Sequence, residues 1–91
     1  FDEPDMEKKF VVRKSDLDMN NHVNNARFVE WVMESYDEEK AYLIKNMDII
    51  FMRESKVGDI ITSQRMEHEP RKFTHQLKNQ DGNILALAKC S

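Results

Sequence analysis

The 91-residue chain contains one cysteine, Cys90, so no disulfide can form within it, and a reducing compartment is the natural expectation: the cytoplasm, or a plastid if the source is a plant. It also lacks a long hydrophobic run. The longest, Ile84 to Ala88, falls far short of the roughly 20 apolar residues that cross a bilayer, and no signal-peptide pattern is visible, so no membrane partner is expected. There is no basic excess either. Fourteen Lys and Arg against 17 Asp and Glu give a formal charge of −3, which removes the electrostatic basis for a nucleic-acid partner. The chain is too short for two cores, so a single domain is expected near the lower limit of independent stability. His68, His75 and Cys90 fall on separate segments without ligand spacing, which argues against a metal site, and no cofactor is expected. An opening at Phe1 and an end just after an apolar run read as a segment of a longer protein.

What is present divides into one helical and several extended stretches. Residues 1–6 (FDEPDM) are polar with an early proline and read as a linker, leaving 7–91 as the domain. Phe10, Val11 and Val12 favour a strand from Lys8 to Lys14. From His22 to Tyr36 the period becomes helical, with Ala26, Phe28, Val29, Val32, Met33 and Tyr36 on one wide arc and Arg27, Glu30 and Glu34 opposite; the N-cap lies among Asn20, Asn21 and Asn24. Asp37-Glu38-Glu39-Lys40 reads as a charged connector. Strands are expected from Tyr42 to Glu54, with Ile50, Met52 and Glu54 on one side, from Ile60 to Glu69, around Phe73, His75 and Leu77, and from Ile84 to Cys90. Gly58-Asp59 marks a turn, and Asp81-Gly82 a hairpin between the last two strands. A strand, an apolar helix and an antiparallel meander make an α+β order in which a sheet wrapped around the helix buries its wide face.

The unusual stretch is Ser15 to Asn25, which crowds two carboxylates, an imidazole and four carboxamides into a loop and a helix start. One reading is a capped turn, since Asp and Asn are the commonest turn and N-cap residues. The other uses the helix end. Free amides near Asn24 and Asn25 would donate to a carbonyl oxygen that gains negative charge, and a neighbouring carboxylate would attack or activate water. Glu54 follows Ile50 and Met52 on a strand face, which places it either at the rim of an apolar pocket or in solvent paired with Arg53 or Lys56. The six Met residues read as core filler, with Met33 and Met52 able to line an apolar tunnel as well.

Asp18-Met19-Asn20-Asn21-His22-Val23-Asn24-Asn25, followed by Ala26-Arg27-Phe28-Val29-Glu30-Trp31, resembles the signature D-x-N-x-H-V-N-N of the acyl-acyl-carrier-protein (acyl-ACP) thioesterases. The likeness continues through Met52-Arg53-Glu54-Ser55 and Gly58-Asp59 to Leu85-Ala86. It implies a hotdog fold, an antiparallel sheet around one long central helix, acting as the C-terminal half of a two-hotdog enzyme that hydrolyses fatty acyl-ACP in fatty acid biosynthesis. The implied catalytic residues are Asp18, Asn20, His22 and Glu54. Asn20 would orient the thioester or a carboxylate, His22 would move a proton, and the two acids would divide attack and proton abstraction in an order the sequence leaves open. Ser55 stands where plant members carry Cys, so the resemblance gives no thiol nucleophile there. The implied partners are the acyl-carrier protein with its acyl-pantetheine thioester and an N-terminal hotdog half or a second copy of this chain. A basic patch for the carrier would have to come from Arg53, Lys56, Arg71 and Lys72.

Three further readings share the fold. A single-hotdog acyl-CoA thioesterase dimer carries a related signature, an Asp shortly before G-H-V-N-N-A. A non-catalytic hotdog module that binds acyl chains or only mediates pairing is the reading outside enzyme chemistry, and the presence of all four polar positions weighs against it. A hydratase of the same fold also combines His with an acid, but the H-V-N-N context argues against that assignment.

Overall fold

The computed structural model describes residues 3–91. Five strands form one antiparallel sheet: β1 (Met6–Val11), β2 (Met47–Phe51), β3 (Ile60–Glu69), β4 (Lys72–Lys78) and β5 (Ile84–Cys90), in the order β1-β3-β4-β5-β2. β3, β4 and β5 form the expected meander, and β3 and β5 take the expected bounds. At the β4–β5 turn Gly82 adopts φ 81°, while Asn79 closes the loop through its backbone to Gly82 and Asn83 and through Oδ1, which accepts from the amides of Asp81 and Asn83. This is the α+β hotdog arrangement, a sheet wrapped against a helix.

The helix is shorter than its apolar periodicity suggested. α1 covers Asn25–Met33, and Asn24 is its N-cap, accepting from the Ala26 amide at 3.0 Å. His22 and Val23 do not belong to it, because Val23 bridges back to Leu17 and the chain enters the helix extended. At the other end Ser35 and Tyr36 only complete a turn, their amides bonding Val32 and Met33. A second helix, α2 (Glu38–Leu43), occupies the expected connector and the first residues of the expected strand. Asp37 caps it by accepting from the Lys40 amide, and Glu38 and Glu39 lie where the helix dipole favours negative charge. Tyr42 and Leu43 are therefore exposed helical residues, and β2 begins only at Met47. The expected 1–6 linker is also shorter on its C-terminal side. Met6 pairs with Arg65 in β1, and the Asp5 amide donates to the Arg65 carbonyl, while Phe1 and Asp2 lie outside the described residues.

The helix-facing side of the sheet buries Phe73, His75 and Leu77 of β4 and Leu85, Ala86, Ala88 and Cys90 of β5 against Phe28, Trp31 and Val32 of α1. Trp31 stacks on Phe10, and Phe28 meets it edge-on with centroids 5.5 Å apart, so each aromatic of α1 fixes one side of the helix against the sheet. The C-terminal carbonyls of α1, which a short helix leaves without internal partners, are answered from the sheet. Ser63 Oγ donates to the Trp31 carbonyl and Arg65 Nη1 to that of Ser35, while the Ser35 hydroxyl donates to Val32. Arg65 also lies over the rings of Tyr36 and Phe73, and Tyr36 Oη is hydrogen-bonded to His75 Nε2. Buried polar residues in β3 and β4 thus replace the turn of helix that Ser35 and Tyr36 do not continue.

Two buried groups set the acid limit of this packing. Burial, with Arg65 beside it, lowers the pKa of His75 to about 4. Asp59 is buried too, which alone would raise its pKa, but donation from Gln80, the Lys56 amide and Ser55 outweighs burial and holds it below the ordinary carboxylate value. Both folded values lie below the unfolded ones, so both contributions are complete at neutral pH and are lost as the pH falls. The windows differ: His75 is charged on unfolding from about pH 6.5 downward, Asp59 only below about pH 4. Urea unfolding as a function of pH should show stability declining between about pH 6.5 and 4 by up to roughly 3 kcal/mol, and His75→Gln should flatten that segment. Asp59→Asn should cost about 1–3 kcal/mol at pH 7, with the difference from wild type shrinking below about pH 4. A wild-type profile flat from pH 7 to 4 would show that His75 is not held neutral.

Candidate active site

The loop ahead of α1 is built on Asp16. Its carboxylate is 3% exposed; Oδ2 accepts the Arg13 amide at 2.8 Å and Oδ1 lies 3.3 Å from Arg27 Nε. Its backbone carbonyl accepts the Asn24 amide, so one residue ties the loop to the helix cap by charge and by main chain. Arg27, expected on the solvent side, is half-buried in this pair and bridges on to Glu30 at 2.7 Å. Between Asp16 and Asn24 the chain makes a tight turn. The Asp18 amide donates to the His22 carbonyl, Asn21 adopts φ 63°, and Asp18 Oδ1 accepts the amides of Asn20 and His22 at 2.9 and 3.1 Å. Asn tolerates that left-handed conformation better than other non-glycine residues, which is the local reason for the Asn-Asn pair. The capped turn of the first reading is present, and His22 stands at its close.

Glu54 arrives from the far end of β2. The Met52 and Arg53 amides both donate to the Leu85 carbonyl, at 2.8 and 3.2 Å, which ends β2 and turns the chain across the start of β5. Ser55 Oγ and the Lys56 amide then donate to Asp59 Oδ2, at 2.9 and 3.1 Å, pinning the residues that follow. Between these anchors Glu54 Oε1 lies 3.0 Å from His22 Nδ1, although 32 positions separate them in sequence. The geometry does not come from strand alternation as expected. Met47, Ile49 and Phe51 face the core, Ile50 is 65% exposed on the outer face, and Glu54 lies beyond the strand with its side chain 76% exposed: of the two expected settings it takes the solvated one, paired with His22 rather than with Arg53 or Lys56.

Two clefts meet at this pair. One, of about 590 Å³, is lined by Asp18, Val23, Asn25, Phe28, Phe51 and Met52 together with His22 and Glu54. The other, of about 440 Å³, also contains His22 and Glu54 but otherwise only polar residues, Asn20 among them. The four expected residues are thus brought to one place but not into one pocket: Asp18 lies in the first cleft and Asn20 in the second. With Nδ1 turned to Glu54, His22 has its Nε2 for other partners. Of the two helix-start amides, that of Asn24 is already donated to Asp16, which leaves Asn25 N–H without an acceptor among the described residues. Asp16 and Asp59 are the positioning residues that the sequence reading missed; a turn aspartate and a buried one look alike in a single sequence. The expected basic patch is divided, since Arg71 and Lys72 lie at the start of β4, whereas Lys56 lines a cleft with Asn79, just beyond the other end of that strand. Lys72 pairs with Glu69. Among the described residues no group of three or more His, Cys, Asp or Glu could hold a metal ion, and no helix is long and apolar enough to cross a membrane.

Comparison with known proteins gives this site its context. The family model of the acyl-ACP thioesterase C-terminal domain matches residues 2–91. An oleoyl-acyl carrier protein thioesterase of Arabidopsis thaliana is 33% identical over 73 residues, covering 78% of this chain and 20% of its own length. One from Coriandrum sativum is 38% identical over 53 residues, covering 56% and 14%. The chain therefore spans about a fifth or less of these curated relatives. The fold is shared with the 12:0-ACP thioesterase of Umbellularia californica, at TM-score 0.86, 22% identity and coverage of 97% of this chain and 35% of that one. An acyl-ACP thioesterase of Bacteroides thetaiotaomicron matches at TM-score 0.85 and 22% identity over 97% and 36%. The hotdog sheet, the signature loop and the family match over almost the whole length agree: the chain belongs to the acyl-ACP thioesterase family, as a C-terminal domain of that family.

Proposed function

We propose that the protein containing this domain hydrolyses fatty acyl-ACP to free fatty acid and ACP, with Asp18, Asn20, His22 and Glu54 as its catalytic residues. The observation that carries this is the 3.0 Å approach of Glu54 to His22 Nδ1 at the mouth of a cleft that also holds Asp18 and a helix start. Glu54 holds the imidazole by Nδ1, and Nε2 takes a proton from the water that attacks the thioester carbonyl. His22 then returns that proton to the departing thiolate. The Asn25 amide, at the positive end of α1, is placed to donate to the carbonyl oxygen as it gains charge. Asp18 keeps the turn closed through Oδ1, leaving Oδ2 for the reacting centre. The acyl chain lies over Phe28, Phe51 and Met52.

The pair needs a cover. His22 is 50% and Glu54 76% exposed, and a hydrogen-bonded pair so hydrated holds the imidazole weakly and steers a proton poorly. Ile50, Phe51 and Met52, all exposed at or just beyond the edge strand β2, form an apolar margin beside the site. An N-terminal hotdog half, or a second copy of this chain, fits there and would exclude water, in keeping with the small share of its relatives that the chain spans. The Arabidopsis thaliana and Coriandrum sativum enzymes are chloroplastic by name; for this chain we infer a reducing compartment, plastid or cytoplasm.

Asp18→Asn keeps an oxygen for the two amides and removes only the charge. In the full-length protein it should lower kcat on dodecanoyl-ACP by at least about 100-fold with little change in melting temperature, and Glu54→Gln should do the same. Near-normal turnover by either variant would take that residue out of the mechanism. Ser55→Ala tests the opposite case, because the Ser55 hydroxyl is spent on Asp59. It should lower stability by about 1 kcal/mol while kcat stays within about threefold of wild type, and a collapse of kcat in a folded protein would make Ser55 a participant.

A further inference from the structure

We infer that the second cleft, on the other side of the His22–Glu54 pair from Phe51 and Met52, is a subsite for the amide-bearing pantetheine arm of the thioester. The inference rests on the thioesterase reading and adds to it the path of the substrate. Besides the shared pair, this cleft of about 440 Å³ is lined by Asn20, Asn21, Asn79, Asn83, Asp81 and Lys56, with Ser55 and Asp59 at its base. No apolar side chain lines it. The first cleft, by contrast, carries Val23, Phe28, Phe51 and Met52.

A thioester of this class is itself divided at the sulfur. On one side lies a hydrocarbon chain that gains by leaving water; on the other lies an arm with two secondary amides, each requiring an acceptor for its N–H and a donor for its C=O. Carboxamide side chains supply both from one group, which is why four asparagines suit this half and would be wasted on the other. They are also available. The side chains of Asn20, Asn21 and Asn83 make no hydrogen bond to the described residues, and Asn79, whose Oδ1 is spent on the turn, retains its two N–H donors. The buried polar atoms at the base are already satisfied, since Asp59 accepts from Ser55, Lys56 and Gln80. The unspent hydrogen-bonding capacity is therefore concentrated on the exposed wall. A carbonyl held at His22 and Glu54 would send its alkyl chain over Phe51 and Met52, and its first amide, two methylenes beyond sulfur, past Asn20. Asn20 is then a residue that orients the leaving arm, which accounts for its position apart from Asp18.

The test compares two non-hydrolysable thioethers on the full-length protein by calorimetry: S-octylpantetheine, and 2-(octylthio)ethanol, which has the same alkyl chain and no amide. Wild type should bind the pantetheine probe more tightly. Asn83→Ala should weaken that probe about fivefold or more, as the loss of one hydrogen bond implies, and leave the ethanol probe unchanged. Asn21→Gly provides a second variant, because glycine accepts the φ of 63° and only the carboxamide is lost. Met52→Ala should weaken both probes alike. Equal binding of the two probes by wild type, or equal weakening of both by the asparagine variants, would overturn the subsite. Hydrolysis of octanoyl-pantetheine is read separately. Amide discrimination without turnover would keep the subsite and overturn the thioesterase reading, whereas turnover without discrimination would do the reverse.

Discussion

Asp16 is a carboxylate held almost wholly out of water between the Arg13 amide and the Arg27 guanidinium, and the position of His22 follows from it. A charge so buried survives only if it is matched, and removing one partner of a buried pair typically costs about 3–5 kcal/mol because the other is left uncompensated. The loop therefore has one favourable arrangement. Arg27 reaches Asp16 only when α1 is in register, and the Asn24 amide reaches the Asp16 carbonyl only when the Asp18–His22 turn is closed. An electrostatic requirement just outside the signature, at Asp16, thus sets the height at which the imidazole stands.

The same division between anchoring and presenting groups recurs on the opposite wall. Asp59 is consumed by Ser55, Lys56 and Gln80, and its neighbour Glu54 is left free to meet His22. Residues with satisfied hydrogen bonds build the frame, and residues with spare capacity face the clefts. This ordering would suit the proposed binding of a flexible thioester, since a framework already paired within the protein does not rearrange when a ligand arrives.

Much of the sheet was legible because period-2 alternation survives wherever one face is buried: Phe73, His75 and Leu77 all point to the helix, and the Asp81-Gly82 turn needed only its own chemistry. The helix ends were not. Val23, Ser35 and Tyr36 are as buried as the residues of α1, so an apolar arc continues through them although the backbone does not. What stops the helix is the Leu17–Val23 bridge before it and, after it, the side chains of Ser63 and Arg65, which are distant in sequence. α2 was hidden for another reason. Tyr42, Leu43 and Ile44 carry strand-favouring side chains, and the Asp37 cap with two following glutamates outweighs them locally. The signature singled out Asp18, Asn20 and His22 as candidates, and the Met52–Ser55 segment added Glu54, but neither foretold their division between two clefts, because that division depends on where β2 ends, and β2 ends on a carbonyl of β5.

That carbonyl, of Leu85, receives both the Met52 and the Arg53 amides at a bulge where Leu77 pairs with Ala86 and Lys78 with Ile84. The reach of Glu54 is consequently gauged by the last strand rather than by its own. Lengthening or shortening the chain between Lys78 and Leu85 by one residue would move this anchor by a whole strand step, about 3.3 Å, and would exchange which side chains face the helix. Among natural homologues the segment should therefore vary in composition far more freely than in length, and a designer seeking to insert a peptide would do better in the loop between α2 and β2, which bears on neither wall of the site.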